Sequence, residues 1–231
     1  LVLLATPNAR ELATTELREE FTLSSLDGDA QLAVRRVWRG GAAEVLRVVF
    51  GRMTPEQLRT QSTLDYERRY SGISVDGDPR IADDEATNTL VLEARYKVPK
   101  PAREAGGDWV LRFFPANLQG AISLPQKINR NFPAAVAYVP YAARYTLVVN
   151  WPESVGMFAD PSTLRVDGAA FRTQVQRSFR GNVSTLEMDY TALADTLQPK
   201  QLPQLVQDLQ KLDRVVGGAV VVERSAIKSG G

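Results

Sequence analysis

The sequence predicts a β-rich α+β protein in which antiparallel sheets pack as a sandwich and two helices cover them. Strands are predicted where apolar and polar residues alternate over short stretches that are separated by turn residues. Two other stretches carry helix signals, a capping motif in one and an apolar stripe at helical spacing in the other. The chain has 231 residues, of which 44% are hydrophobic, and this is enough for a packed core.

The chain begins with four consecutive apolar residues, Leu1, Val2, Leu3 and Leu4. Residues 1–13 are expected to continue from an upstream domain, and the four apolar residues are expected to dock. A free terminus normally frays, whereas burial of several Leu and Val side chains offsets the entropy lost on ordering. We expect this segment to pair as a strand with the chain's own sheet or with the preceding domain. An assembly contact is the alternative.

Residues 14–114 are predicted to form a β-rich subdomain. Its first strand, at 16–24, alternates apolar and polar residues, but a charged residue, Glu19, stands among the apolar ones. A turn at 27–29 with the sequence Asp-Gly-Asp predicts a hairpin, so the next strand should pair with the first.

A helix is predicted at 55–70 within this subdomain. Thr54 is suited to cap it, Pro55 to occupy its first position and Gln57 to complete a capping box. Gly72 ends the pattern. Residues 44–50, further upstream, fit either a helix or a strand.

Residues 115–140 are predicted to form an irregular connection, since four prolines interrupt them. A second β-rich subdomain follows at 141–224. It ends in a helix at 202–216, where apolar residues recur at the spacing of one helical face. Residues 225–231 contain Gly and Ser and are predicted to form a tail.

Charge and hydropathy exclude two broad classes of function. The 28 basic and 27 acidic side chains leave a net charge of +1, whereas a nucleic-acid-binding protein usually has a basic excess or a basic stripe. No apolar run reaches the ~18–20 residues that a membrane-spanning helix needs. We therefore expect neither a nucleic-acid partner nor a membrane span.

The absence of histidine and cysteine removes the usual general bases, thiolate nucleophiles and zinc ligands. We therefore predict no catalytic, cofactor-binding or metal-binding residues, and no enzyme activity in this chain. An acidic stretch at 76–85 departs from the calcium-loop pattern because Arg80 replaces a ligand. Solvated turns are the preferred interpretation of this stretch, and a hydrolase that uses only carboxylates is an alternative.

Three tryptophans, Trp38, Trp109 and Trp151, are candidates for stacking on sugar rings. Each also lies on the apolar face of a predicted strand, which favours packing in the core. A carbohydrate- or peptide-binding β-sandwich module is therefore kept as an alternative function.

Several motifs occur in an order that resembles a known family. They are LVLL at 1–4, EEF at 19–21, RGGAAE at 39–44, the stretch 54–72, the hairpin 83–88, EARY at 93–96 and the stretch 190–216. The order is similar to the C-terminal region of bacterial cell-envelope proteins with a transglutaminase-like core. In those proteins an N-terminal β domain of unknown function precedes a papain-like Cys-His-Asp domain and then a β-rich tail.

The resemblance implies a non-catalytic accessory or interaction module that flanks a transglutaminase- or protease-like domain. The family's catalytic Cys and His have no counterpart in this sequence and would lie upstream of Leu1. The implied partner is that upstream catalytic domain or another envelope protein. The implied location is the periplasm or the cell surface.

Overall fold

A computed structural model describes residues 14–118, 121–122, 124–216 and 218–228. The predicted docking residues Leu1, Val2, Leu3 and Leu4 lie outside these ranges. The first half of the described chain contains β1 (Thr15–Leu23), β2 (Ala30–Arg39), α1 (Gly41–Phe50), α2 (Pro55–Glu67), β3 (Ser74–Val75), β4 (Arg80–Asp84), β5 (Thr89–Val98), β6 (Ala102–Ala105) and β7 (Asp108–Arg112). The second half contains β8 (Ala134–Ala135), β9 (Ala142–Asn150), β10 (Met157–Asp167), β11 (Phe171–Gly181), β12 (Val183–Ala192), β13 (Thr196–Leu197), α3 (Leu202–Val216) and β14 (Ala219–Val222).

A nine-stranded sheet forms the frame of the fold. Its order is β10-β11-β12-β9-β1-β2-β5, and both β3 and β4 pair with the free side of β5. The predicted subdomains 14–114 and 141–224 both contribute strands to this sheet. They meet where β1 pairs with β9, and this pair is parallel, whereas the other pairs are antiparallel.

The β-rich α+β prediction is confirmed, because one face of the large sheet is covered by a second layer. A three-stranded sheet, β14-β7-β6, packs on this face together with α2 around Phe21 and Tyr145. A second apolar cluster lies towards the β10 end of the sheet, where Leu202 and Leu205 of α3 pack with Phe171. The opposite face of the sheet carries alternating polar residues.

The two predicted helices form for the predicted reasons. Thr54 Oγ1 accepts a hydrogen bond from the backbone N–H of Gln57 (3.2 Å), and Gln57 Oε1 accepts one from the backbone N–H of Thr54 (2.9 Å). This capping box starts α2, which ends at Glu67, three residues before the predicted end. The boundaries of α3 agree with the prediction of 202–216. Residues 44–50, left open between helix and strand, lie within the helix α1.

The predicted connection at 115–140 is largely irregular where it is described, although β8 pairs with β13. Of the predicted tail, residues 225–228 are described, and they lie against the fold because Ile227 forms a β-bridge with Val155. Across the described ranges, no helix has the length and apolar character needed to cross a membrane.

Candidate functional site

The three candidate tryptophans lie in different environments. Trp151 is 1% exposed, and its indole N–H donates to Ser184 Oγ at 3.0 Å. Trp38 is partly exposed on β2 of the large sheet and packs edge-on against Phe50. Trp109 is partly exposed on β7 of the three-stranded sheet. The two partly exposed rings therefore belong to different sheets, and a role in ligand stacking stays a prediction.

Two residues of the acidic stretch at 76–85, Asp83 and Asp84, are engaged in local structure. Arg47 of α1 donates two hydrogen bonds to Asp83, at 2.6 and 2.7 Å, and these bonds hold the pKa of Asp83 below its usual range. Asp84 accepts bonds from Thr87 and Ala86 in its own turn, which lowers its pKa too. Among the described residues, no group of three His, Cys, Asp or Glu side chains is placed to hold a metal ion.

A buried carboxylate lies at the centre of the fold. Glu19 of β1 is 1% exposed. Its Oε1 accepts a hydrogen bond from Tyr66 Oη of α2, and its Oε2 accepts one from Tyr145 Oη of β9, both at 2.7 Å. Burial raises the pKa of Glu19, although the two hydroxyl donors and the charges of Arg69 and Arg36 act in the opposite direction.

This buried group connects three elements that are distant in sequence. Because each carboxylate oxygen already accepts a tyrosine hydroxyl and the side chain is sealed from solvent, Glu19 has no access to a substrate in this structure. Its role here is structural, because its hydrogen bonds connect β1 with β9 and α2. The sequence marked Glu19 as unusual, because it is the one charged residue among the apolar residues of the first strand. Nothing in the sequence identified Tyr66 and Tyr145 as its partners.

An apolar groove lies beside α3, with a volume of about 380 Å³. One wall is formed by α3, a second by Thr173 and Tyr190 of the large sheet, and a third by residues of the irregular connection. The apolar lining residues are Leu118, Ala121, Ile122, Leu124, Tyr190, Val206, Leu209 and Leu212. The apolar stripe of an amphipathic helix normally faces the core, and the stripe of α3 does so only in part. It is buried at Leu202 and Leu205, but Val206, Leu209 and Leu212 are only partly covered and line the groove.

Exposed apolar side chains are concentrated in residues 124–139, one of which, Leu124, lines the groove. Tyr138 is 87% exposed and Phe132 is 63% exposed. The guanidinium of Arg130 lies 4.1 Å from the centre of the Phe132 ring. The same stretch also exposes Leu124, Ile128 and Val139. We call residues 124–139 the connecting segment, and such a concentration of exposed apolar residues is typical of interaction surfaces.

Neither the models of known protein families nor the curated proteins match this chain.

A second set of exposed apolar residues lies on α1. Val45 is 65% exposed and Val48 is 54% exposed. The helix is held to the sheet by the Arg47–Asp83 pair and by Phe50, which packs on Trp38. None of the exposed large hydrophobic residues of α1 is aromatic, so this helix offers fewer anchor residues than the connecting segment.

Proposed function

We propose that this chain is a non-catalytic accessory module that binds another protein domain through its connecting segment. The observation that carries this proposal is the exposure of two aromatic side chains, Phe132 and Tyr138, within the connecting segment. Aromatic residues are enriched in the cores of protein interfaces, where a few of them supply most of the binding energy.

The arrangement of three acidic residues, Glu19, Asp83 and Asp84, supports a non-catalytic role. A hydrolase that uses only carboxylates needs an acid and a base that both reach a substrate. Glu19 is sealed between two tyrosine hydroxyls, Asp83 is held by Arg47, and Asp84 caps its own turn. The sequence has no histidine or cysteine that would supply a different base or nucleophile.

The proposed partner is a transglutaminase- or protease-like domain of the same bacterial envelope protein, in the periplasm or at the cell surface. Support comes from the resemblance of the motif order and from the place where the connecting segment ends. Tyr141, just after this segment, lies beside the first described residues: its hydroxyl is 3.4 Å from Thr15 Oγ1. An N-terminal neighbour would therefore reach the connecting segment directly.

The first experiment measures activity. The purified chain is incubated with glutamine-containing peptides and a primary amine, and both ammonia release and peptide cleavage are followed. We expect no turnover above the buffer rate, because the chain has neither a thiol nucleophile nor a histidine base. Turnover that co-purifies with the chain through every column would contradict the non-catalytic role.

The second experiment measures binding to the domain that the same gene encodes upstream. Calorimetry should show that replacing Phe132→Ser and Tyr138→Ser together weakens binding at least about 10-fold, as the loss of aromatic anchors does. The matched control replaces Val45→Ser and Val48→Ser, which are similarly exposed on α1, and should retain the affinity. The proposed partner is wrong if the gene encodes no such domain or if the two double variants bind equally well.

A further inference from the structure

The described chain begins at a fixed point on one end of the large sheet. The backbone O of Thr14 accepts a hydrogen bond from Arg39 N at 3.0 Å, and Thr14 Oγ1 accepts one from Ala142 N at 3.2 Å. Arg39 is the last residue of β2, and Ala142 is the first residue of β9. The two strands beside β1, which are β2 and β9, therefore both have an end residue opposite Thr14. Neither strand continues past this residue to pair with the segment before Thr14.

The apolar groove beside α3 lies next to this point. The hydroxyl of Tyr141 is 3.4 Å from Thr15 Oγ1, and it donates a hydrogen bond to the backbone O of Asn117. Asn117 precedes Leu118, which lines the groove. The ring of Tyr141 is also 6.1 Å from the ring of Tyr190, which forms part of the groove wall. One side chain thus separates the first described strand from the groove.

We propose that this groove is the binding site for the apolar residues Leu1, Val2, Leu3 and Leu4 of the same chain. Thirteen residues precede Thr14, and an extended chain of that length spans up to about 45 Å, which exceeds the distance across one side-chain contact. The groove lining is mostly aliphatic, so it matches a run of leucine and valine side chains. These four residues lie outside the described ranges.

This proposal does not depend on the proposed function. It concerns a contact within one chain, whereas the proposed function concerns the exposed aromatic residues of the connecting segment. It is an alternative to the expectation that 1–4 pair as a strand with the chain's own sheet or with the preceding domain, which stays a prediction. A second copy of the chain and an unrelated apolar molecule are the other possible occupants, and the experiments below separate them.

The first test uses the absence of native cysteine in the full chain. Leu3→Cys is combined with Gln210→Cys, on the α3 wall of the groove, and the protein is treated with a short thiol-specific cross-linker at low concentration. We expect a cross-link within one chain. The matched control combines Leu3→Cys with Lys97→Cys, which is exposed on β5, and should give at least about 10-fold less product.

Two results of this test would overturn the proposal. Cross-linked dimers in place of cross-linked monomers would show that a second copy fills the groove. Equal yields from the Gln210 and Lys97 pairs would show that the N-terminal residues have no preference for the groove.

The second test avoids cross-linking and follows hydrogen exchange of α3 in the full chain. The double variant Leu3→Ser and Leu4→Ser should exchange α3 amides at least about 5-fold faster than the unchanged chain, with β2 and β5 unaffected. The control variant Asn8→Ser and Arg10→Ser, in the same segment, should leave α3 exchange unchanged. Unchanged exchange in the leucine variant would mean that another molecule, or none, covers the groove.

Discussion

At the residue scale, Glu19 shows how a charged group becomes part of an apolar core. Its two carboxylate oxygens accept hydrogen bonds from the hydroxyl groups of Tyr66 and Tyr145, so each buried polar group in this trio has a partner. Tyr96 extends the buried polar contacts, because its hydroxyl donates to the backbone O of Ser62 in α2. Such a network stabilises the fold only when every member has a partner. The free-energy penalty of one buried polar group without a partner exceeds the net stabilisation from one buried hydrogen bond.

Removal of the carboxylate should therefore be costly. We expect Glu19→Ala to lower the free energy of unfolding by about 3–5 kcal/mol, because two tyrosine hydroxyls lose their acceptor and a cavity forms. Urea denaturation of the variant measures this value. Glu187→Ala, on the exposed face of β12, should change it by less than ~0.5 kcal/mol. Equal effects of the two changes would contradict a structural role for Glu19.

The raised pKa of Glu19 also predicts a pH dependence. Burial favours the protonated carboxyl in the folded state, so the contribution of this group to stability is complete below its unfolded pKa and is lost as pH rises through its folded pKa. Because Glu19→Gln cannot titrate, the stability of this variant relative to the unchanged chain should increase between pH 4 and pH 8. Denaturation at several pH values tests this, and a constant difference would show that Glu19 keeps an ordinary pKa.

At the element scale, the parts of the fold with local signals were predictable. The capping box at Thr54 and Gln57 placed the start of α2, and the apolar stripe placed both ends of α3. The parallel pairing of β1 with β9 had no such signal, because alternation shows that a strand exists but does not show which distant strand lies beside it. The partial exposure of Leu209 was not predictable either, because it depends on which distant residues pack against α3.

Along α3, the cost of truncation should follow burial. Leu205 is 3% exposed and packs in the second apolar cluster, so Leu205→Ala should cost about 2–5 kcal/mol of unfolding free energy. Gln207→Ala, exposed on the same helix, should cost less than ~0.5 kcal/mol. Chemical denaturation compares them. If both changes proved mild, α3 would not be packed on the sheet in solution.

At the scale of the whole molecule, the large sheet makes the two halves of the chain interdependent. The candidate interaction surface was not predictable from the sequence. The proline-rich composition of 115–140 indicates an irregular segment, but it does not indicate that Phe132 and Tyr138 are exposed. The hydrogen bond between Tyr145 and Glu19 was not predictable from the sequence either, because these residues are 126 positions apart. Hairpins, capping motifs and apolar stripes are local signals. The Glu19–Tyr145 hydrogen bond joins distant residues, and the exposure of Phe132 and Tyr138 depends on where the rest of the fold places the connecting segment.

A change in the central strand should therefore weaken both halves together. Phe21 of β1 is fully buried and contacts Tyr70 edge-on, so Phe21→Ala should cost about 3–5 kcal/mol. Hydrogen exchange should then accelerate in β5 and in β12 by similar factors, and denaturation should remain a single transition. Two separate transitions would show that 14–114 and 141–224 unfold independently.

The parallel pair β1–β9 also has a consequence for synthesis of the chain. At about 5–20 residues per second, the ribosome completes β9 roughly 6–25 s after β1. Throughout that interval the nascent β1–β2 hairpin presents an unpaired strand edge whose alternate residues are apolar, and such an edge can pair with other chains. A chaperone that covers this edge during translation would increase the yield of folded protein, whereas the same chaperone added after β9 has paired would find the edge of β1 already occupied.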